Sequence, residues 1–175
     1  IARQQCQGEI QLPLSDCGVV ALDYIGRTGI ATSIGHAPQA ALADSAVGSR
    51  IAVAEALTNI VGANLKQGLK SVSLSANWMW PCNNPGEDAA LYNAVEACSD
   101  FVCRLGINIP TGKDSLSMTQ KYPDGNKVYA PGTVIISAAG EVADIRKTVS
   151  PVVVNKANST LYYIDFSSDS LRIVG

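Results

Sequence analysis

Two polar side chains near the middle of the chain have the type and spacing to bind a divalent cation. Glu55 and Asn59 are four residues apart in residues 48–62, where apolar residues recur at the three-and-four spacing of an α-helix. The pair therefore projects from one helix face and offers a carboxylate and an amide oxygen, which Mg²⁺ or Ca²⁺ prefers. The same pair is common on solvated helices, so spacing alone favours an ordinary polar face.

The predicted central helix must bury one side and leave space beside this pair. Its buried stripe is predicted to comprise Ile51, Ala54, Leu57, Ile60 and Val61. Small residues flank the polar pair at Ala52, Ala56 and Ala63. A ligand or another backbone can therefore approach the helix closely.

The neighbouring segments predict strands and one further helix. An apolar run at residues 19–24 and a glycine-rich alternating run at residues 26–35 indicate two strands joined by a hairpin. The second helix is expected to start with Asn84 as its cap and Pro85 in its first position, and to stop at Gly106. The pattern predicts an α/β (α+β) domain.

A lysine in residues 110–118 resembles part of a phosphate-binding loop, but its surroundings do not. Five residues separate Gly106 from Gly112, and Asp114 follows Lys113 where a Walker loop needs Ser or Thr. We interpret the Gly-Lys-Asp-Ser sequence as a turn. It either offers an ammonium group to a phosphate or is a simple charged turn, and Lys113, Asp114 and Ser115 receive no assigned role.

Composition excludes several classes of function. The 175 residues are 47% hydrophobic, which suits one substantial core with at most part of a second domain. A formal net charge of −2 and 6% aromatic residues provide neither a basic field nor a stacking surface for nucleic acid. No apolar run of membrane-spanning length is present, so no membrane segment is expected.

The cysteines and the single histidine indicate neither a zinc site nor a disulfide framework. The five cysteines include no C-x-x-C pair, and His36 has no cysteine nearby. Reduced thiols in the cytoplasm fit this composition. The chain also lacks an initiator Met and ends soon after entering an apolar run, so we expect a piece of a longer polypeptide.

Five sequence blocks in order resemble one protein family. They are P-L-S-D at 13–16, A-E-A-L-T-N-I at 54–60, L-S-A-N-W-M at 74–79, P-G-E-D-A-A-L-Y at 85–92 and P-T-G-K-D-S-L-S-M at 110–118. Together they resemble the large form of phosphoribosylformylglycinamidine synthase, which contains two copies of a unit similar to aminoimidazole ribonucleotide synthetase. This chain resembles the start of the second copy.

The resemblance implies a fold and a domain boundary. Residues 1–150 would form the N-terminal subdomain, a mixed sheet with helices on one face. Residues 151–175 would be a linker and the first strand of the next, truncated subdomain. The other sheet face would form a barrel-like interface with the first copy, and the isolated piece would pair with itself through that face.

The resemblance also implies an activity for the longer enzyme. It would be an ATP-dependent amidoligase that uses glutamine to convert formylglycinamide ribonucleotide to formylglycinamidine ribonucleotide in purine biosynthesis. The piece alone is expected to be inactive and to contribute a magnesium and nucleotide site. The alternative is a structural and assembly module with an auxiliary ADP site and no direct catalytic role.

The family motifs imply particular residues for that site. Asp16, Glu55 and Asn59 would be Mg²⁺ ligands, and Ser15 would contact ATP or ADP. No catalytic residue is assigned, since the glutaminase domain and the first copy lie elsewhere in the longer chain. These two parts and the nucleotide are the expected partners, and the expected location is the cytoplasm.

Overall fold

The computed structural model describes residues 17–149 and 159–164. The strands are β1 Cys17–Ala21, β2 Gly29–His36, β3 Lys66–Leu69, β4 Val72–Met79, β5 Asn108–Ser115, β6 Thr119–Lys121, β7 Lys127–Tyr129 and β8 Thr133–Val142. Five of these strands form a mixed sheet, and two others, β6 and β7, form a separate two-stranded sheet. The helices are α1 Pro38–Ala43, α2 Ser45–Ile60 and α3 Glu87–Leu105, and a 3₁₀ turn follows at Ile145–Lys147.

The sheet order is β1-β2-β8-β4-β5. Neighbouring strands are antiparallel except for β4 and β5, which are parallel and are joined through α3. A parallel pair needs such a crossover, whereas β1 and β2 need only a hairpin. The predicted α/β class, with a mixed sheet covered by helices, is confirmed.

One face of the sheet supplies most of the core. Alternate residues of β8 are buried, including Val134, Ile136, Ala138 and Val142, because successive side chains of a strand point to opposite faces. They pack with buried residues of α2 and α3. The opposite side, called the open face below, consists of Thr32, Ile34 and His36 of β2, Ile135, Ser137 and Ala139 of β8, Ser73, Ser75 and Asn77 of β4, and Thr111, Lys113 and Ser115 of β5.

Helix α2 lies directly against the backbone of β2. A Cβ atom at Gly35 would overlap the backbone of Ala52 and Ala56, so only glycine fits there. The buried Ser33 hydroxyl donates to the Ala56 carbonyl oxygen at 2.6 Å. The small residues therefore admit another backbone, one of the two possibilities that the sequence left open.

Because of this close approach, the buried side of α2 differs from the predicted one. The predicted stripe is wrong at Ile51 and Val61, whose exposed fractions are 42% and 60%, and Ala54 is only partly buried. The buried residues of α2 are Gly48, Ser49, Ala52, Val53, Ala56, Leu57 and Ile60. Small side chains, rather than the largest apolar ones, face β2 because bulky groups would separate the helix from the strand.

The limits of α3 differ from the prediction at one end. Asn84 is not the cap, because its side-chain amide donates to the Pro81 carbonyl oxygen at 2.8 Å. Pro85 is not in the first position either, because α3 begins at Glu87 after Gly86. Gly106, with φ of 68°, ends α3 as predicted. Cys98 is buried in the core, and this burial raises the pKa of its thiol to about 11.

The predicted Gly-Lys-Asp-Ser turn is wrong. Lys113 to Ser115 belong to β5 and pair with Asn77 to Met79 of β4 in one parallel register. Gly112 permits this pairing, because a side chain there would overlap the Ala76 carbonyl oxygen. The predicted turn at residues 122–126 is confirmed, since it links β6 to β7.

The end of the described chain leaves the second predicted subdomain untested. Residues 161–164, expected to begin a strand, have no regular secondary structure and are exposed. Residues 150–158 and 165–175 lie outside the described residues, so the boundary at residue 150 stays a prediction. No helix within residues 17–149 and 159–164 is long and apolar enough to cross a membrane.

Candidate functional site

Glu55 and Asn59 both bind the backbone of β2. The Glu55 Oε2 atom accepts a hydrogen bond from the His36 backbone N–H at 2.6 Å. The Asn59 Nδ2 atom donates to the Ile34 carbonyl oxygen at 2.9 Å. The predicted pair is therefore together at one strand edge, where the polar side chains of α2 pair with backbone groups that require hydrogen bonds.

The position of this edge follows from the strand register. Cys17, the first described residue of β1, is opposite Ser33 of β2. Ile34 and His36 lie beyond that pair, in the part of β2 that the described residues of β1 do not cover. Side chains from α2 reach them because Ser33 and Gly35 hold the helix against the strand.

Each bond leaves one side-chain oxygen for another partner. A carbonyl oxygen accepts only from the amide nitrogen, so the bond to Ile34 fixes the orientation of the Asn59 amide. Asn59 Oδ1 and Glu55 Oε1 have no hydrogen-bond partner among the described residues. These two oxygens, one helical turn apart, fit the oxygen chemistry that Mg²⁺ requires.

The described part of the chain does not contain a complete ligand set. Within residues 17–149 and 159–164, no group of three or more His, Cys, Asp or Glu side chains could hold a metal ion. Ser15 and Asp16, the other two predicted site residues, lie outside the described residues. The structure thus brings together Glu55 and Asn59 and leaves the roles of Ser15 and Asp16 as predictions.

A groove of about 480 Å³ lies beside the pair. Glu55, Asn59 and His36 line one end of it, and Thr111 of β5 lines the other. Its lining is completed by small, hydroxyl-bearing or apolar residues: Gly18, Thr32, Ser33, Ile34, Ser73, Leu74, Ser75, Pro110, Ser137, Ala138 and Ala139. The groove therefore has a carboxylate at one end and small neutral side chains across the sheet.

Charge in this groove comes from few groups. Cys17 begins β1 next to the groove residue Gly18, and burial raises the pKa of its thiol, opposed by a hydrogen bond with the Thr32 backbone. The thiol is therefore neutral near pH 7. Glu55 is the carboxylate lining the groove, so its second oxygen is the strongest attraction for a cation there.

Several solved structures of Thermotoga maritima proteins share the fold of this chain. The chain matches PurLQS from Thermotoga maritima with a TM-score of 0.64 and 18% identity, covering 79% of this chain and 21% of that one. It matches T. maritima PurL complexed with ATP with a TM-score of 0.61 and 20% identity, covering 80% and 22%. The match to T. maritima PurL complexed with FGAR has a TM-score of 0.59 and 22% identity, covering 78% and 21%.

The family follows from the sequence itself. Residues 1–141 match the model of the FGAR-AT PurM_N-like domain. The chain belongs to this domain family, which confirms the resemblance to phosphoribosylformylglycinamidine synthase. It spans about a fifth of the length of the T. maritima chains, 21% to 22%.

Sequence patterns did not reveal how the pair is held. The contacts use backbone groups of Ile34 and His36, which a pattern of side chains cannot indicate. His36 binds Glu55 through its backbone N–H rather than its imidazole. The glycine before His36 and the alanines on α2 were the available signals for a close contact. They do not specify which strand approaches or in which register.

We predict that Glu55 and Asn59 stabilise the metal-free fold by different amounts. Glu55→Ala removes a charged acceptor and should lower the free energy of unfolding by about 2 kcal/mol, whereas Asn59→Ala should lower it by about 1 kcal/mol. Glu55→Gln keeps an acceptor for the His36 N–H and should cost less than Glu55→Ala. Urea denaturation followed by circular dichroism measures these differences.

The matched control is Glu96→Ala on the exposed side of α3, which should change stability by less than about 0.5 kcal/mol. Equal stabilities for Glu55→Ala and Glu96→Ala would show that the bond to His36 does not stabilise the fold.

Proposed function

We propose that this domain binds a magnesium nucleotide through Asp16, Glu55 and Asn59 as part of a longer phosphoribosylformylglycinamidine synthase. The observation that carries this proposal is the pair of side-chain oxygens, Glu55 Oε1 and Asn59 Oδ1, left available by the bonds to β2. Membership of the FGAR-AT PurM_N-like domain family supports the nucleotide assignment. Neighbours with the same fold are complexes with ADP, ATP and AMPPCP.

Chain connectivity supports Asp16 as the further carboxylate. Asp16 precedes Cys17, which is opposite Ser33, and consecutive Cα atoms are about 3.8 Å apart. Ser33 directly precedes Ile34, whose carbonyl oxygen is bonded to Asn59. The covalent chain therefore keeps Asp16 near the proposed site. Ser15 would then contact the nucleotide from the same segment.

The proposed ligand set suits charge neutralisation at phosphates. Two carboxylates and one amide oxygen would hold Mg²⁺, which when bound offsets phosphate charge and fixes the position of the phosphates. The residues of this chain would orient the nucleotide, and Glu55 and Asn59 are already oriented by their bonds to β2. The longer enzyme would amidate formylglycinamide ribonucleotide with ammonia from glutamine.

A second candidate is a structural and assembly module with an auxiliary ADP site. It is favoured by the direct bonds from Glu55 and Asn59 to the backbone of β2, because these bonds stabilise the domain whether or not turnover occurs at this site. In the longer enzyme, Glu55→Ala, which also removes the bond to the His36 N–H, separates the two functions. Loss of turnover in a stable protein supports catalysis or its control, and loss of heat stability with turnover intact supports the structural module.

The open face is the proposed contact with the first synthetase-like copy. Its residues Ser73, Ser75, Ser137 and Ala139 are small, so a second sheet can approach without displacing bulky groups. We propose a barrel-like interface there in the longer enzyme, which would also carry the glutaminase domain. In this shorter chain the same face would pair with a second copy.

We predict that nucleotide binding to this chain depends on Mg²⁺ and on the carboxylates of Glu55 and Asp16. A fluorescent ADP analogue should bind in the presence of Mg²⁺ and be released by EDTA, because the ion bridges the carboxylates and the phosphates. Glu55→Gln and Asp16→Asn should each weaken binding by at least about tenfold, which corresponds to about 1.4 kcal/mol. Fluorescence anisotropy measures both effects.

The matched control for this binding experiment is Glu141→Gln, which removes a carboxylate paired with Lys66 at 2.7 Å and absent from the groove lining. Equal affinity in all variants, or binding that is unchanged by EDTA, would contradict the proposed magnesium site.

We predict that the chain forms a dimer through the open face. Sedimentation velocity over a range of concentrations should give a monomer–dimer equilibrium, and Ser137→Arg should shift it to monomer by placing a long charged group in the contact. Glu96→Arg on the exposed side of α3 should leave it unchanged. A monomer at every concentration would contradict pairing of this chain with itself.

A further inference from the structure

The strand β5 carries a lysine whose charge is not balanced by the described chain. Lys113 is exposed, and its ammonium donates to the Ser115 hydroxyl at 3.3 Å. The ion pairs among residues 17–149 and 159–164 are Lys66–Glu141 and Arg146–Asp144, so no described carboxylate pairs with Lys113. An ammonium with three donors is therefore bonded to one neutral oxygen.

The adjacent aspartate does not balance this charge, because it lies on the other side of the strand. Successive residues of a strand point to opposite faces, and Asp114 is opposite Trp78, which packs against the core. Burial raises the pKa of the Cys82 thiol, and the carboxylates of Asp88, Glu87 and Asp114 raise it further. Asp114 therefore belongs to the acidic surroundings of Cys82 on the helix-covered side.

The strand register places Lys113 in one cross-strand row of the open face. That row runs His36, Ile135, Asn77 and Lys113 from β2 through β8 and β4 to β5. The neighbouring row is Ile34, Ser137, Ser75 and Thr111, and its members line the groove. Lys113 is thus next to the groove, at the side opposite Glu55.

Polar groups near Lys113 are also incompletely paired. The Asn77 Oδ1 atom is buried without a hydrogen-bond partner in the described chain, and so is Thr133 Oγ1. Asn77 is the direct cross-strand partner of Lys113, and Thr133 is opposite Met79, whose other neighbour is Ser115. Buried polar atoms without partners are rare and call for an explanation.

We propose that Lys113, with Ser115 and Thr111, forms an oxyanion-binding site that takes the phosphate group of a small molecule. Lys113 supplies the charge and two further N–H donors, and the hydroxyls of Ser115 and Thr111 on the same strand face supply neutral donors. Asn77 Oδ1 is an acceptor and would not contact the oxyanion, but it could accept from one ammonium donor of Lys113 while another donor binds the phosphate. The site lies across the sheet from Glu55 and Asn59 and does not use them.

The test is a titration of the full chain with inorganic phosphate at constant ionic strength, followed by ¹H–¹⁵N NMR at protein concentrations at which the chain is monomeric, because the proposed dimer contact would cover the same face. Saturable shifts should centre on the amides of Thr111, Lys113, Ser115 and Asn77. Lys113→Met, which keeps an apolar stem without the charge, should weaken phosphate binding by about tenfold, and Lys113→Arg should restore most of it.

The matched control is Lys121→Met on β6, which removes a second exposed lysine and should leave phosphate binding unchanged. Equal shifts at all exposed lysines, or an unchanged affinity in Lys113→Met, would overturn the site. A chain that binds a carboxylate such as acetate but not phosphate would also overturn it and would point to an acidic protein partner. This titration contains no Mg²⁺. Failure to bind phosphate at Lys113 is therefore distinguishable from failure of the proposed magnesium site at Glu55 and Asp16.

Discussion

The backbone contact between α2 and β2 is the constraint on which the candidate site depends. Gly35 has no side chain, and Ala52 and Ala56 present little, so the helix and strand meet through their backbones. The Ser33 hydroxyl fixes the contact by donating to the Ala56 carbonyl oxygen. Any larger residue at Gly35 would move α2 away from β2, and the side chains of Glu55 and Asn59 would no longer reach the edge of the strand.

Because of this contact, Glu55 and Asn59 each bind β2 through one side-chain atom and keep one oxygen without a described partner. The remaining oxygen of each side chain is available for a cation. The hydrogen bonds reduce the conformational freedom of both side chains before any ligand arrives, which lowers the entropy that binding must overcome. The same arrangement therefore stabilises the fold and would preorganise the proposed pair of ligands.

Sequence patterns predicted the elements of this domain better than their contacts. The presence of helix α2, the Gly106 stop of α3 and the turn after Tyr122 depend on local chemistry, and they are confirmed. Ile51 and Val61 were assigned to the core because hydrophobicity, rather than size, was used to choose the buried side. The close approach of α2 to β2 buries the side with small residues instead. This approach depends on Gly35, which lies in a different element of the chain.

The site itself could be predicted only as a list of residues. Spacing placed Glu55 and Asn59 on one helix face, and the family motif added Ser15 and Asp16. Neither indicates that the two side chains bind the backbone of His36 and Ile34. Lys113 was assigned to a turn because Gly112 and Pro110 are common in turns. In the sheet, Gly112 instead allows β5 to approach Ala76, and the pairing with β4 extends through Ser115.

The most direct measurement is a Mg²⁺ titration followed by ¹H–¹⁵N NMR at the His36 backbone amide and the Asn59 side-chain amide. If the cation binds the free oxygens while the bonds to β2 persist, both signals should shift in a saturable way, with slower hydrogen exchange at His36. Saturable Mg²⁺ binding that leaves both signals unchanged, or that persists in Glu55→Ala, would contradict the account.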